Sequence, residues 1–154
     1  MKKIITFILC LALLFALTVP ASAAGSVHLS VSGGGSAYRG DTLNFSISAS
    51  GGGSCASFGL FLSYDSSVFE YVGGSASAGG ALVSSMSNNG LVVSYNGEGT
   101  PSGTVASFSL RVKSGAPFGT FSVSGSASAN GASASASGTS VSVLCSHSYG
   151  DWQQ

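Results

Sequence analysis

The feature that most restricts this chain is a period of two. In Val27-His28-Leu29-Ser30-Val31-Ser32 and Leu43-Asn44-Phe45-Ser46-Ile47-Ser48 every second residue is apolar. Phe58, Leu60, Leu62 and Tyr64 share a face, as do Ala106, Phe108, Leu110 and Val112. Phe121 and Val123, then Val141 and Val143, alternate with serine. Side chains of a strand point alternately to its two faces, so such a pattern specifies strands with one buried and one wetted side. No window carries a helical stripe. Clusters at Gly33–Gly35, Gly51–Ser54, Gly73-Gly74, Asn88-Asn89-Gly90, Gly97-Glu98-Gly99 and Gly115-Ala116-Pro117 read as turns. The spacing predicts nine strands, roughly 26–32, 41–49, 57–64, 67–72, 81–86, 91–96, 103–113, 119–128 and 132–144. That is an all-β fold, a nine-stranded β-sandwich. The Ser/Ala alternation at 126–137 has little apolar bulk and predicts a poorly packed edge.

The alternation begins only after a leader. Lys2 and Lys3 precede an apolar run from Ile4 to Val19, and Ala21-Ser22-Ala23 offers the small residues of a cleavage site. Residues 1–23 therefore read as a signal peptide, the rival being a membrane anchor. Cys10 lies within the apolar run and is not a lipoprotein cysteine. Residues 24–144 form one domain and 145–154 a short tail. The expected location is extracellular or at a cell surface, with no membrane span left after cleavage. Without the leader's two lysines, Arg39, Arg111 and Lys113 face Asp41, Asp65, Glu70, Glu98 and Asp151, three cations against five carboxylates, a net charge of −2. There is no basic stripe, so nucleic acid is excluded as a partner. Roughly twenty large inward side chains, at ~1.5–3 kcal/mol each, suffice for a small monomeric domain.

Catalytic constellations are missing. His28 and His147 have no nucleophile and carboxylate placed beside them by the sequence. Asp41, Asp65 and Glu98 read as turn or strand-end residues and Glu70 as an exposed strand position, which is not a paired-carboxylate site. No GK[ST] follows the glycine clusters. Asp65, Glu98 or Asp41 with loop carbonyls could form a calcium site, although no dense acidic loop exists. The sequon Asn44-Phe45-Ser46 falls mid-strand. The chain is read as a non-enzyme without a cofactor.

The most specific stretch is FGLFLSYDSSVFEYVGG, Phe58 to Gly74. Asp65 follows an inward run directly, and an aspartate there can bond the backbone N–H two residues on, an Asx-turn that would fix the reversal. The pattern L-x-YD-x-x-V-F-E-x-V resembles the signature of the cohesin family, extracellular modules that capture dockerin domains in cellulosome scaffolds. GTVASFSLRVKSGAPFG, Gly103 to Gly119, resembles the cohesin strand that ends in a Lys-Ser-x-Ala-Pro turn. The opening V-x-L-x-V-S and Gly40-Asp41-Thr42-Leu43 fit the same family. The resemblance implies a jelly-roll sandwich, related in architecture to carbohydrate-binding modules, that binds a dockerin-like partner, with any calcium on that partner. Many cohesins place an Asn and an Asp on the strand entering the YD corner. The matching positions here are Ser57 and Gly59.

A binding surface would then be formed by the outward residues of strands 57–64 and 91–96. Phe61 points away from Phe58, Leu60 and Leu62. It is an interface anchor or a ring covered by a loop. Ser63, Ser94, Asn96 and Glu98 would rim it. The runner-up is a polysaccharide-binding module on the same sandwich, for which Phe61, Tyr71, Tyr38 and Phe118 are the available aromatics. A spacer in a surface protein is the third reading. Cys145-Ser146-His147-Ser148-Tyr149 resembles the start of a Cys-x-His-x-Tyr/Trp repeat at the ends of Gram-positive surface proteins, which implies a truncated tail. Export also permits a Cys55–Cys145 disulfide. Zinc on Cys145 and His147 has too few ligands.

Overall fold

The computed structural model describes residues 25–52, 57–86, 90–96 and 102–146. The leader, Cys55, Glu98 and the tail from His147 lie outside the described residues. Eleven strands follow one another: β1 (Ser26–Gly33), β2 (Gly35–Ala37), β3 (Thr42–Gly52), β4 (Ser57–Ser63), β5 (Phe69–Ala76), β6 (Ala81–Met86), β7 (Gly90–Asn96), β8 (Gly103–Val112), β9 (Gly119–Ala129), β10 (Ser133–Ser137) and β11 (Thr139–Val143). They form two sheets, β10-β1-β3-β8-β5 and β2-β11-β9-β4-β7-β6. The protein is an all-β jelly-roll sandwich.

The alternation decides the core. Val27, Leu29 and Val31 from β1, Phe45 and Ile47 from β3, and Phe108, Leu110 and Val112 from β8 are buried from one sheet. Phe58, Leu60 and Leu62 from β4 and Leu91, Val93 and Tyr95 from β7 meet them from the other. Rings are paired across strands in register. Phe45 stacks on Phe108 at 4.9 Å and Phe58 on Tyr95 at 5.0 Å. Phe69 of β5 meets Phe121 of β9 edge-on at 6.3 Å, joining the two sheets. Such pairs add about 0.5–1.5 kcal/mol each beyond their burial. No polar side chain is buried among the described residues.

The strand count of nine is corrected to eleven, and glycine is the reason. The predicted strand 132–144 is broken at Gly138 into β10 in one sheet and β11 in the other. A Cβ at Gly138 would collide with the Val123 carbonyl, so only glycine lets the chain cross there. The first strand crosses at the matching place. Gly33, Gly34 and Gly35 have φ of 111°, 91° and 95° and carry β1 over into β2. β1 runs parallel to β10 and β2 parallel to β11, so both chain segments change sheets side by side. Thr139 Oγ1 donates to the Gly33 carbonyl at 2.8 Å and ties the crossings together.

Gly73-Gly74, read as a turn, instead lies inside β5, which runs on to Ala76. A bulge at Val72 shifts the register between Tyr71 and Gly73, so the strand bends instead of ending. A second bulge, at Val105 in β8, turns both Val105 and Ala106 inward. The low-bulk Ser/Ala segment divides. Ser126–Ala129 continues β9 and pairs with β4 on one side, beyond the reach of β11, which pairs only with Gly119–Val123, whereas β10 is the edge of the other sheet. The register puts Ser26 and Val143 at opposite ends of the sandwich, with Ser26 beside Gly52 and Val143 beside Ala37 and Gly119.

The crossing can be tested directly. A Cβ on Gly34 would sit 2.7 Å from the Ser140 carbonyl as well as in a left-handed backbone, whereas one on Gly35 meets nothing within 4 Å. Gly35→Ala is expected to cost about 1–2 kcal/mol in urea unfolding. Gly34→Ala is expected to cost clearly more, since its clash is with backbone that cannot swing away.

Candidate functional site

β4 lies between β9 and β7 in the six-stranded sheet, so its outward residues occupy the middle of a broad face. The register sets Ser57 beside Asn96, Gly59 beside Ser94, Phe61 beside Val92 and Ser63 beside Gly90. On the other flank Phe61 faces Ser126 and Gly59 faces Ser128. β6 extends the face, with Leu82 beside Ser94 and Ser84 beside Val92. The structure thus brings Ser57, Gly59, Phe61, Ser63, Ser94 and Asn96 onto one surface. Glu98 lies outside the described residues.

Phe61 is 42% exposed. Its ring leans over Gly90, where an added Cβ would come within 2.8 Å of Cε2 and Cζ. A glycine at the start of β7 therefore seats the ring flat on the sheet. Val92 is half-buried beside it, and Leu82, at 67% exposure, stands diagonally beyond on the edge strand. Next to the ring the backbone of Gly59 is uncovered. A Cβ there would touch only Ser128 Oγ, at 3.4 Å. The result is a shallow depression of about 200 Å³ lined by Gly59, Phe61, Val92, Ser126 and Ser128. Every described side chain on this face is uncharged. A surface with an exposed ring, two aliphatic side chains and a surround of hydroxyls suits non-covalent docking; its described residues include no nucleophile–base pair.

Ser126, Ser128 and Leu82 were not among the residues singled out from the sequence. Leu82 carried a usable signal, since Ala81 is buried and Leu82 stands on the other face of β6. The serines carried none, because nothing local says that β9 pairs with β4.

The charged residues lie elsewhere. Arg39, Asp41, Asp65, Glu70, Arg111 and Lys113, all the aspartates, glutamates, lysines and arginines among the described residues, sit at one end of the sandwich. Asp65 Oδ1 accepts from Ser67 N at 2.8 Å and Ser67 Oγ at 2.6 Å, and its carbonyl accepts from Val68 N and Phe69 N. This Asx-turn leads the chain from β4 into β5. Lys113 Nζ donates to the Ser66 carbonyl at 2.6 Å and Lys113 N to the Val68 carbonyl at 2.8 Å. Asp41 Oδ2 accepts from Tyr38 N at 2.8 Å, and the Asp41 carbonyl from Val112 N. Arg39 Nε donates to the Ala116 carbonyl at 2.7 Å. The Gly-Asp, Tyr-Asp and Lys-Ser-x-Ala-Pro stretches, far apart in sequence, are one hydrogen-bonded cluster. Glu70 and Arg111 pair across strands at 4.0 Å, both well exposed, a contact of little energetic weight.

His28 lies on the opposite sheet, its Nδ1 2.9 Å from Ser135 Oγ and its Nε2 3.4 Å from Ser137 Oγ. Among the described residues no three metal-ligating side chains gather. Cys145 is exposed at the charged end, while Cys55, its suggested partner, lies outside the described residues. Tyr71 is half-buried, and Tyr38 and Phe118 stand at the charged end, away from Phe61.

No family model matches the sequence, and no curated protein matches it. Solved structures do. The third cohesin of ScaC from Acetivibrio cellulolyticus, solved with the ScaB dockerin, matches with a TM-score of 0.64 at 10% identity, over 79% of this chain and 99% of that one. A non-cellulosomal cohesin from Archaeoglobus fulgidus matches at 0.60 and 15% identity, over 80% and 93%. A chain of the type I cohesin–dockerin complex of OlpC from Clostridium thermocellum matches at 0.59 and 16%, over 78% and 93%. The chain has the cohesin fold.

The Asp65 corner gives a pH signature. The Ser67 hydroxyl, and then the Ser67 N–H, hold its carboxyl below the ordinary carboxylate value. A depressed folded-state pKa contributes stability above the unfolded value, ~3.9, and loses it as pH falls through the folded one. The melting temperature of Asp65→Ala is therefore expected to lie below wild type at neutral pH, with the gap narrowing below about pH 4. Calorimetric scans of both proteins across that range check it.

Proposed function

We propose that this protein is a secreted, non-catalytic binding module that captures a dockerin-like domain on the β9-β4-β7-β6 face, as part of an extracellular or cell-surface assembly. The observation that carries the reading is Phe61, a ring seated on Gly90 in the middle of an uncharged sheet face within a cohesin fold. Hot spots of protein interfaces are central, aromatic or large apolar groups surrounded by polar neighbours that exclude water. Phe61 with Val92 and Leu82 has that form, and the serines on either flank supply the surround.

Ser57 and Gly59 replace the Asn and Asp of many cohesins, which alters the chemistry of recognition. Hydroxyls and open backbone at Gly59 take the place of strong side-chain acceptors. Affinity then rests on apolar burial around Phe61, and the partner presents an apolar, uncharged surface. The cohesin-like reading places any calcium on the partner. It also fits the position of the strand ends, since a module whose first and last strands emerge at opposite ends can be threaded in series with others.

A polysaccharide ligand is less well supported. Sugar-binding sheet faces stack rings on several aromatics, and Phe61 is the one aromatic among the described residues of this face.

The test is retention of secreted proteins from the source organism on the immobilised mature chain. Dockerin-bearing proteins are expected to be held with calcium present and released by EDTA. Phe61→Ser is expected to weaken retention at least about tenfold, the cost of losing an interface anchor, while leaving the melting temperature close to wild type. Equal retention by Phe61→Ser would remove the face from consideration. No retention of dockerin-bearing proteins would leave the spacer reading.

A further inference from the structure

The charged end of the sandwich carries a second aromatic surface, separate from the Phe61 face. Six large hydrophobic side chains are exposed among the described residues, and three of them, Tyr38, Phe118 and Leu144, line one hollow of about 210 Å³ together with Arg39, Cys145 and Ser146. Tyr38 is 48% and Phe118 50% exposed. Backbone contacts hold the walls in place. Asp41 Oδ2 accepts from Tyr38 N at 2.8 Å, Gly40 with φ of 91° closes that turn, and Leu144 N donates to the Ala37 carbonyl at 2.8 Å. Arg39 is fixed between them. Its Nε donates to the Ala116 carbonyl at 2.7 Å, and its guanidinium carbon lies 4.0 Å above the Phe118 ring.

Arg39 is placed differently from the other cations. Arg111 lies 4.0 Å from Glu70, and Lys113 Nζ donates to the Ser66 carbonyl. Among the described residues no carboxylate lies within ion-pair distance of Arg39, and the Ala116 carbonyl takes its Nε–H alone. A guanidinium seated on a ring keeps its edge for hydrogen bonds, and the two terminal nitrogens form the planar fork that takes a carboxylate with two parallel bonds. The hollow therefore asks for an anion with a compact body. Its volume lies below the ~300–1,000 Å³ of sites for larger organic ligands, so it admits about one ring-sized group. The flanking rings offer flat apolar surface, and the Tyr38 and Ser146 hydroxyls offer hydrogen bonds. A sugar ring carrying a carboxylate has the matching parts: C–H faces for the aromatic side chains, hydroxyls for the rim and an anion for Arg39. The scarcity of aromatics that weighs against sugar on the Phe61 face does not apply here, where two rings flank a cation.

We propose that the Tyr38/Arg39/Phe118 hollow binds a uronic acid residue of an acidic polysaccharide, with the sugar carboxylate on the Arg39 guanidinium and the sugar ring against Tyr38 and Phe118. One such residue makes a weak contact, and repetition along the polysaccharide raises the avidity of an assembly that displays several modules. The proposal stands independently of the partner-binding face.

The test is calorimetric titration of the full mature chain with trigalacturonate and with its methyl ester, which keeps the sugar rings and removes the charge. Wild type is expected to bind trigalacturonate and to bind the ester at least about tenfold more weakly, the loss of a charge-assisted pair. Arg39→Gln and Phe118→Ser are each expected to weaken trigalacturonate binding by a similar factor while far-ultraviolet circular dichroism stays that of the folded protein. Phe61→Ser, on the other face, is expected to bind as wild type does. The ester comparison needs no variant, so it decides even where Arg39→Gln loosens the turn at Ala116. Absence of trigalacturonate binding at millimolar concentration overturns the proposal and leaves the hollow to a carboxylate on a protein partner. Equal binding of acid and ester overturns it, because Arg39 then plays no part. Binding that both hollow variants retain in full also overturns it, because the sugar then sits elsewhere.

Discussion

The sandwich depends on a crossing made twice at one place. β1 and the final strand segment run parallel, and each leaves one sheet for the other where a glycine removes the Cβ that would strike a neighbouring carbonyl. Gly33–Gly35 take the first segment over and Gly138 the second, and Thr139 hydrogen-bonds across the join. Each sheet consequently contains both an early and a late piece of the chain. The core of Phe45, Ile47, Leu60, Leu62, Phe108 and Leu110 can close only once these distant segments are paired. A fold with so many long-range pairings pays its loop-closure entropy early and is expected to form slowly.

That closure leaves a surface of two kinds. The broad sheet faces are built of serine, threonine, asparagine and a few apolar side chains. Aspartate, glutamate, lysine and arginine are confined, among the described residues, to the end where the 38–41, 64–69 and 113–118 turns meet. The charges there work as backbone fasteners: Asp65 on Ser67, Asp41 on Tyr38, Lys113 on Ser66, Arg39 on Ala116. A carboxylate or cation that satisfies turn backbone contributes more than an exposed ion pair such as Glu70–Arg111. The neutral faces are then free to dock an apolar surface without charge steering. Phe61 on one and the Tyr38–Phe118 hollow at the charged end are the two places where aromatic surface gathers.

The sequence by itself determined that this is an all-β sandwich and which residues form its core. Alternation at Val27–Ser32, Leu43–Ser48 and Phe58–Tyr64 specifies both strand and inward face, because a side-chain period of two admits no other burial. It also put Phe61 on the outward side, since that is fixed by the same parity. Only the tertiary structure decided which strands are neighbours. No local signal pairs β9 with β4, so the flanking Ser126 and Ser128 could not be read, nor could the gathering of three separate motifs at one end. The sheet crossing at Gly138 and the run of β5 through Gly73-Gly74 were likewise beyond sequence. A glycine's role is set by the atom its missing Cβ would strike: the Val123 carbonyl at Gly138 and the Phe61 ring at Gly90. Those atoms come from other strands, 15 and 29 residues away in the chain, and only the packed sheets bring them there.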